Sequence, residues 1–235
     1  MVDLDSGEAK LLPFGEDVAR SGDTGVNSLA FDGEGALYSG QRGGIRRWDV
    51  GTGESVAVLG RPEQTAFVTA DATGRRLAVL LGKETSGRTP EDPEVFVLDL
   101  PSGARWPVRS HGPEVAYAAL DPSGDWLVTA DTTGLVRIGS AQGGEPHLLP
   151  GGPTPKLSPA VSPDGRWIVA GSGSDILLWP MPDVTQPPLH TLPHEVLMAK
   201  LDALTNLRVV RDPSSPTGWG EELGPFPGWR DVPSW

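Results

Sequence analysis

Four histidines, a set of spaced aspartates and one Gly/Ser run are the residues whose types could do chemistry. His190 and His194 stand four apart, the separation at which two imidazoles on one helical face can share a zinc ion. Pro193 lies between them, His190 reads as part of a strand and no third ligand is indicated, so no metal site is expected. Asp71, Asp121 and Asp164 recur in similar turn contexts rich in Pro, Thr, Ser and Gly. Catalytic carboxylates must converge on one bond. Acids repeated at one point of a pattern instead cap turns, by accepting hydrogen bonds from nearby backbone. The run AGSGSD at 170–175 has the composition of a phosphate loop but is followed by neither lysine nor helix, so it reads as a strand turn. No G-x-S-x-G elbow presents a serine nucleophile. The expectation is a noncatalytic chain with no catalytic residue, no cofactor and no metal.

The elements around these residues repeat. Gly165 in VSPDGRWIVAG has counterparts at Gly124 in LDPSGDWLVTA, Gly74 in ADATGRRLAVL and Gly35 in FDGEGALYSG, at intervals of 41, 50 and 39 residues. In each copy an apolar strand (SLAF, FVTA, YAAL, PAVS) enters the turn and a second leaves it. A third follows (IRRWDV, VFVLDL, LVRIGS, ILLWPM), and a shorter fourth comes last (SVAVLG, RWPVRS, PHLLPG, PLHTLP). Short alternating strands joined by Asp/Gly turns are the pattern of half-buried antiparallel sheets. One four-stranded sheet cannot cover both its faces, whereas sheets stacked radially cover one another. The period of about 40 residues predicts β-propeller blades. Trp48, Trp126, Trp167 and Trp179 fall at strand positions expected to face the core between blades. The longest interval is due to GKETSGRTPEDPE, residues 82–94, read as a charged surface insertion.

Composition bounds the partners. The chain has 235 residues, 31 Gly, 24 Pro, no Cys and a formal charge of −12. An acidic surface repels phosphate backbones, so nucleic acid is not expected as a partner. The first ten residues, MVDLDSGEAK, lack the basic and apolar regions of a secretion signal, and no run is apolar enough to span a bilayer. A cytoplasmic location without membrane contact is the expectation.

These residues carry a resemblance. With Trp48-Asp49 in IRRWDV, Leu98-Asp99 in VFVLDL, Asp131 in TADTTGLVRI and Asp175 to Trp179 in DILLW, the chain resembles a WD-repeat β-propeller protein. Only the first blade keeps the full Trp-Asp pair; Ile138-Gly139 and Trp179-Pro180 replace it later. The last stretch, with TNLRVV, SPTG and GPFPGW, resembles the terminal segment of large bacterial WD-repeat proteins, some of which carry a serine/threonine kinase at the other end. No kinase motif is present in this chain, so kinase activity does not transfer.

The fold class expected is all-β: β-propeller blades of four antiparallel strands, four complete and one partial, then a short helix and a Pro/Trp-rich tail. Residues 1–193 would form the blades, with the partial blade at 1–15 and complete ones from about 25 to 193. Residues 194–235 would form the helix and a tail docked on the propeller, with Trp219, Trp229 and Trp235 as its anchors. VDLDSGEAKLLPFG aligns with WDVGTGESVAVLG, so Val2 to Gly15 would be the last two strands of a blade. Three readings supply its first two: further blades upstream in a longer protein, the tail strands LRVV and WGEEL, or a second copy.

The resemblance also implies a partner face, made by the turns between second and third strands and by the links between blades. By position this face includes Arg42, Arg61, His111, Glu114, Asp131 and Lys156. The function implied is a protein–protein interaction scaffold that binds a protein or peptide. A regulatory or sensor domain of an enzyme such as a kinase is the alternative. A propeller hydrolase or lyase would need an acid/base or metal cluster in the central channel, for which the sequence offers no candidate.

Overall fold

The computed structural model describes residues 12, 25–83, 91–149, 151, 154, 156–204, 207–215 and 218–223. Apart from Leu12, the partial blade expected over 1–15 lies outside them, as do the centre of the 82–94 insertion, Trp229 and Trp235. The chain divides into two compact units, residues 1–181 and 182–235.

The first unit is a series of antiparallel sheets. Strands β1 (Val26–Phe31), β2 (Leu37–Trp48), β3 (Ser55–Ala70), β4 (Arg76–Lys83), β5 (Glu91–Asp99) and β6 (Ala104–Pro107) hydrogen-bond in chain order. The two expected four-stranded blades merge here, because two strands serve twice. β2 pairs with β1 before Arg42 and with β3 after it. Gly43 and Gly44, with φ of +94° and +121°, supply the conformation for the change. β3 pairs with β2 through Ser55 to Arg61 and with β4 from Thr65 on, so the end of one blade runs into the start of the next. The insertion is shorter than its sequence suggested. β4 and β5 continue into it, with Leu81 opposite Glu94 and Lys83 opposite Glu91.

The third blade is a four-stranded meander of β7 (Val115–Leu120), β8 (Trp126–Asp131), β9 (Val136–Ser140) and β10 (His147–Leu149). The fourth has three strands, β11 (Lys156–Val161), β12 (Trp167–Ser172) and β13 (Asp175–Pro180). PLHTLP, expected as its fourth strand, instead holds a 3-10 turn at Leu189–Thr191. Pro187 and Pro188 have no N–H to give a ladder, which accounts for the difference. His190 therefore belongs to a turn rather than a strand.

Period-two alternation places the core. Leu77, Val79 and Leu81 of β4, with Phe96 and Leu98 of β5, pack with Tyr38, Ile45 and Val68 on one face. Their sequence neighbours Ala78, Leu80, Val95 and Val97 pack with Val115, Leu120 and Leu127 of the third blade on the other. Each Val, Leu, Ile or Phe side chain among them stabilises the fold by about 1.5–3 kcal/mol on burial. The fourth blade differs. Ile168 and Ala170 are buried, but the opposite face carries Ile176 at 81% exposure, Leu178 at 55% and Trp167 at 39%. Of the four tryptophans expected in the core, Trp48 is buried, Trp126 and Trp179 are half-buried, and Trp167 is on the open face.

In the second unit, α1 (His194–Leu204) follows Pro193. Leu197 and Leu201 are half-buried, and Val196, expected beside them, is exposed. Strands β14 (Leu207–Arg211) and β15 (Trp219–Leu223) then pair as an antiparallel hairpin.

Candidate interaction face

The best-defined part of the expected partner face lies on the third blade. ADTTGL turns β8 into β9 because the Asp131 carboxylate replaces missing backbone partners. Its Oδ1 accepts from the Thr133 amide at 2.9 Å, the Thr133 hydroxyl at 2.8 Å and the Leu135 amide at 2.9 Å. Its Oδ2 pairs with Arg137, one turn of the pleat further along β9. Burial alone would raise the Asp131 carboxyl, but the Leu135 amide, Arg137 and Thr133 together hold it below the usual carboxylate range.

His111 closes a 3-10 turn over Arg109–His111 and enters the same blade from the preceding link. Its Nδ1 lies 2.7 Å from the Thr129 hydroxyl, and its buried Nε2 has no hydrogen-bond partner among the described residues. Burial, helped by the nearby Arg137 cation, lowers the imidazole to about 4, so His111 is neutral at pH 7. Outside this buried layer lies Glu114. Its carbonyl accepts from the Thr132 amide at 3.2 Å and its Oε2 from the Thr132 hydroxyl at 3.2 Å. Link and turn are thereby tied.

Two of the expected contact residues need correction. His111 and Asp131 are each 1% exposed and cannot touch a partner. A short imidazole and a carboxylate beside blade backbone find their hydrogen bonds inward, and both act as frame. Glu114 is exposed. Arg42 is half-buried within β2, while Arg61 and Lys156 lie in β3 and β11 with side chains outside the description. Thr132 and Arg137 were not anticipated. The signal for the arginine was present, since LVRI repeats the Arg47 position of IRRW.

The comparisons follow this geometry. The model of the WD domain, G-beta repeat, matches residues 156–180. The fold is similar to a chain in the crystal structure of a mitotic checkpoint complex, at 16% identity and a TM-score of 0.54, covering 66% of this chain and 46% of that one. It is also similar to the β-propeller domain of Myceliophteria thermophila Cps50 (Swd1), at 15% identity and a TM-score of 0.58, covering 82% and 61%. The chain has the fold of a WD-repeat β-propeller. TolB from Acinetobacter baumannii is similar at 14% identity and a TM-score of 0.50, covering 66% and 40%. The chain thus spans 40% to 61% of the length of these three chains. No curated protein sequence matches it.

Within the propeller, the matched repeat is the fourth blade, whose SPDG turn departs in detail from its neighbours. Asp32, Asp71 and Asp121 each begin a turn and accept their own backbone amides through Oδ1, at 2.8–3.1 Å. In the fourth blade Ser162 holds that place and Asp164 stands two residues on, accepting from Ser162 and the Arg166 amide. Strands β1, β3, β4, β7 and β11 line a cavity of about 260 Å³ with Ser28, Thr69, Tyr117 and Ser158 as its hydroxyl groups. Its described lining has no acid, histidine or cation to act as acid or base. No helix among the described residues is long and apolar enough to cross a membrane.

Proposed function

We propose that this propeller is a noncatalytic protein-interaction scaffold that offers its blade links and turns to a protein or peptide partner, as one part of a larger bacterial cytoplasmic protein. WD-type propellers in general mediate such contacts. The observation that carries the reading is the exposed Glu114 held at carbonyl and carboxylate by Thr132, beside the buried His111, Thr129 and Asp131 and the half-buried Arg137. A contact side chain fixed before binding loses little conformational freedom when a partner arrives. Arg42, Arg61 and Lys156 extend the same face by sequence position.

Affinity capture from a lysate of the source cell tests this with three baits: the parent chain, Glu114→Lys, and Arg42→Ala with Lys156→Ala. A protein retained by the parent and lost from both variants, at unchanged melting temperature, is the expected result. Equal retention by all three would remove this face from consideration.

A further inference from the structure

We propose that the cavity between strands β1, β3, β4, β7 and β11 is a binding site for a small uncharged polyhydroxylated ligand, the size of one sugar ring.

The strands depart from regular pairing where they meet the cavity. Val26 and Ser28 of β1 pair with Gln41 and Gly40, which leaves Asn27 as an extra residue. Val115 and Tyr117 of β7 pair with Asp131 and Ala130, which leaves Ala116 extra. Leu157 and Ala160 of β11 pair with Gly171 and Val169, so Ser158 and Pro159 share the place opposite Ala170. Asn27, Ala116, Ser158 and Pro159 all line the cavity. A bulge bends its strand and re-aims a side chain, and bulges gather beside functional sites. Ser158 also carries a conformational cost. Its φ of +47° lies in the left-handed region, and no other described residue with a side chain has a positive φ. Glycine would hold that conformation without strain. A serine kept in it indicates a task for the hydroxyl.

The polar groups of the lining fall into two sets. Ser28 and Thr69 tie strands together: the Ser28 hydroxyl oxygen accepts from the Val68 amide at 2.8 Å, and the Thr69 hydroxyl donates to the Ala118 carbonyl at 3.5 Å. The side chains of Asn27, Tyr117 and Ser158 make no hydrogen bond to another described residue. Each can both donate and accept, as a ligand hydroxyl can. Phe67, Leu80 and Pro159 supply apolar wall. The described lining holds no charged side chain, so an ion entering it would give up water without gaining a counter-charge. Hydroxyls on an uncharged apolar ring satisfy both parts of the lining. The volume of about 260 Å³ lies just under the roughly 300–1,000 Å³ of ordinary ligand pockets, which keeps the occupant small. Glu114, Thr132, His111 and Asp131 do not line the cavity, so the site stands independently of the interaction face.

Saturation-transfer NMR on the full chain tests the site with glucose, mannose and N-acetylglucosamine as probes and glucose 1-phosphate as the charged comparison. A ring of about twelve non-hydrogen atoms at ordinary ligand efficiency gives a dissociation constant of about 1 mM. At least one of the three neutral sugars should bind at that strength or tighter, and glucose 1-phosphate should not. Tyr117→Phe removes one hydroxyl and should weaken binding at least about threefold. Ser158→Gly removes the other together with its strain, so it should bind at least about threefold more weakly while melting no lower than the parent. A serine with a purely structural role would move the melting temperature and leave the affinity alone. Absence of transfer to all three sugars overturns the proposal. So does equal binding of glucose 1-phosphate, or unchanged affinity in either variant. Should Ser158→Gly fail to fold, Tyr117→Phe alone decides between these outcomes.

Discussion

The Asp71 carboxylate lies against Gly124 of the following blade: a β-carbon at Gly124 would stand 2.5 Å from its Oδ2. Asp32 and Gly74 repeat the relationship one blade earlier, at 2.9 Å. Asp32 and Asp71 thus both close their own turns and seat the next. At Gly165, where Asp121 would complete the series, no described residue comes within 4 Å. The joint before the fourth blade lacks this lock.

The lock predicts unequal alanine substitutions. Gly124 and Gly165 have similar φ, +76° and +70°, so backbone strain is common to both. Gly124→Ala must also displace a carboxylate that holds the Arg75 and Arg76 amides. Urea denaturation should show a loss of about 3 kcal/mol for Gly124→Ala and about 1 kcal/mol for Gly165→Ala. Equal losses would refute the lock.

His111 makes stability depend on pH. Its folded value of about 4 lies below the ordinary 6.5, so between these the unfolded chain takes up a proton that the folded chain refuses. The contribution is complete above pH 6.5 and is lost as pH falls towards 4. Its full size is on the order of 3 kcal/mol. Urea midpoints at pH 7 and pH 4.5 should separate more for the parent than for His111→Asn, which has nothing to titrate in that window.

Arg76 joins the second and third blades. Its guanidinium lies 5.2 Å from the centre of the Trp106 ring and pairs with Asp125 across the joint. The arginine is buried and the Asp125 side chain is 61% exposed, so the two ends of the pair should differ. Arg76→Ala removes packing and cation–π attraction and should cost about 2 kcal/mol, while Asp125→Ala should cost under about 1 kcal/mol. Thermal unfolding of the two variants checks the order.

The open face of the fourth blade predicts association without destabilisation. Ile176→Thr with Leu178→Thr changes residues that face water, so folding stability should move by under about 1 kcal/mol. Light scattering should show less self-association or aggregation than in the parent, since an apolar sheet face invites both. A large loss of stability would mean that this face is covered in solution.

The blades were legible in the sequence because their punctuation is local. An aspartate that caps a turn acts on amides within five residues, so Asp71, Asp121 and Asp131 show their task in their neighbours alone. The unbroken apolar run Leu77 to Leu81 of β4 likewise shows that both its faces are covered. The candidate face was legible only as a position. His111 and Glu114 stand three apart in one link, and nothing local says that one turns inward to Thr129 and the other outward beside Thr132.

What the sequence determined by itself, then, is the repeat, its turns and the absence of thiol chemistry, all set by residues within a few positions of one another. Tertiary structure alone decided which blade face is left open at Trp167, Ile176 and Leu178, which joints are locked by a carboxylate, and that His111 is a neutral strut. The locks depend on what stands across a blade interface, 42 residues away in the chain at Asp32 and Gly74 and 53 at Asp71 and Gly124, and the state of His111 depends on Thr129 and Arg137 of other strands in its own blade. Burial, unlike turn formation, is a property of both sides of an interface.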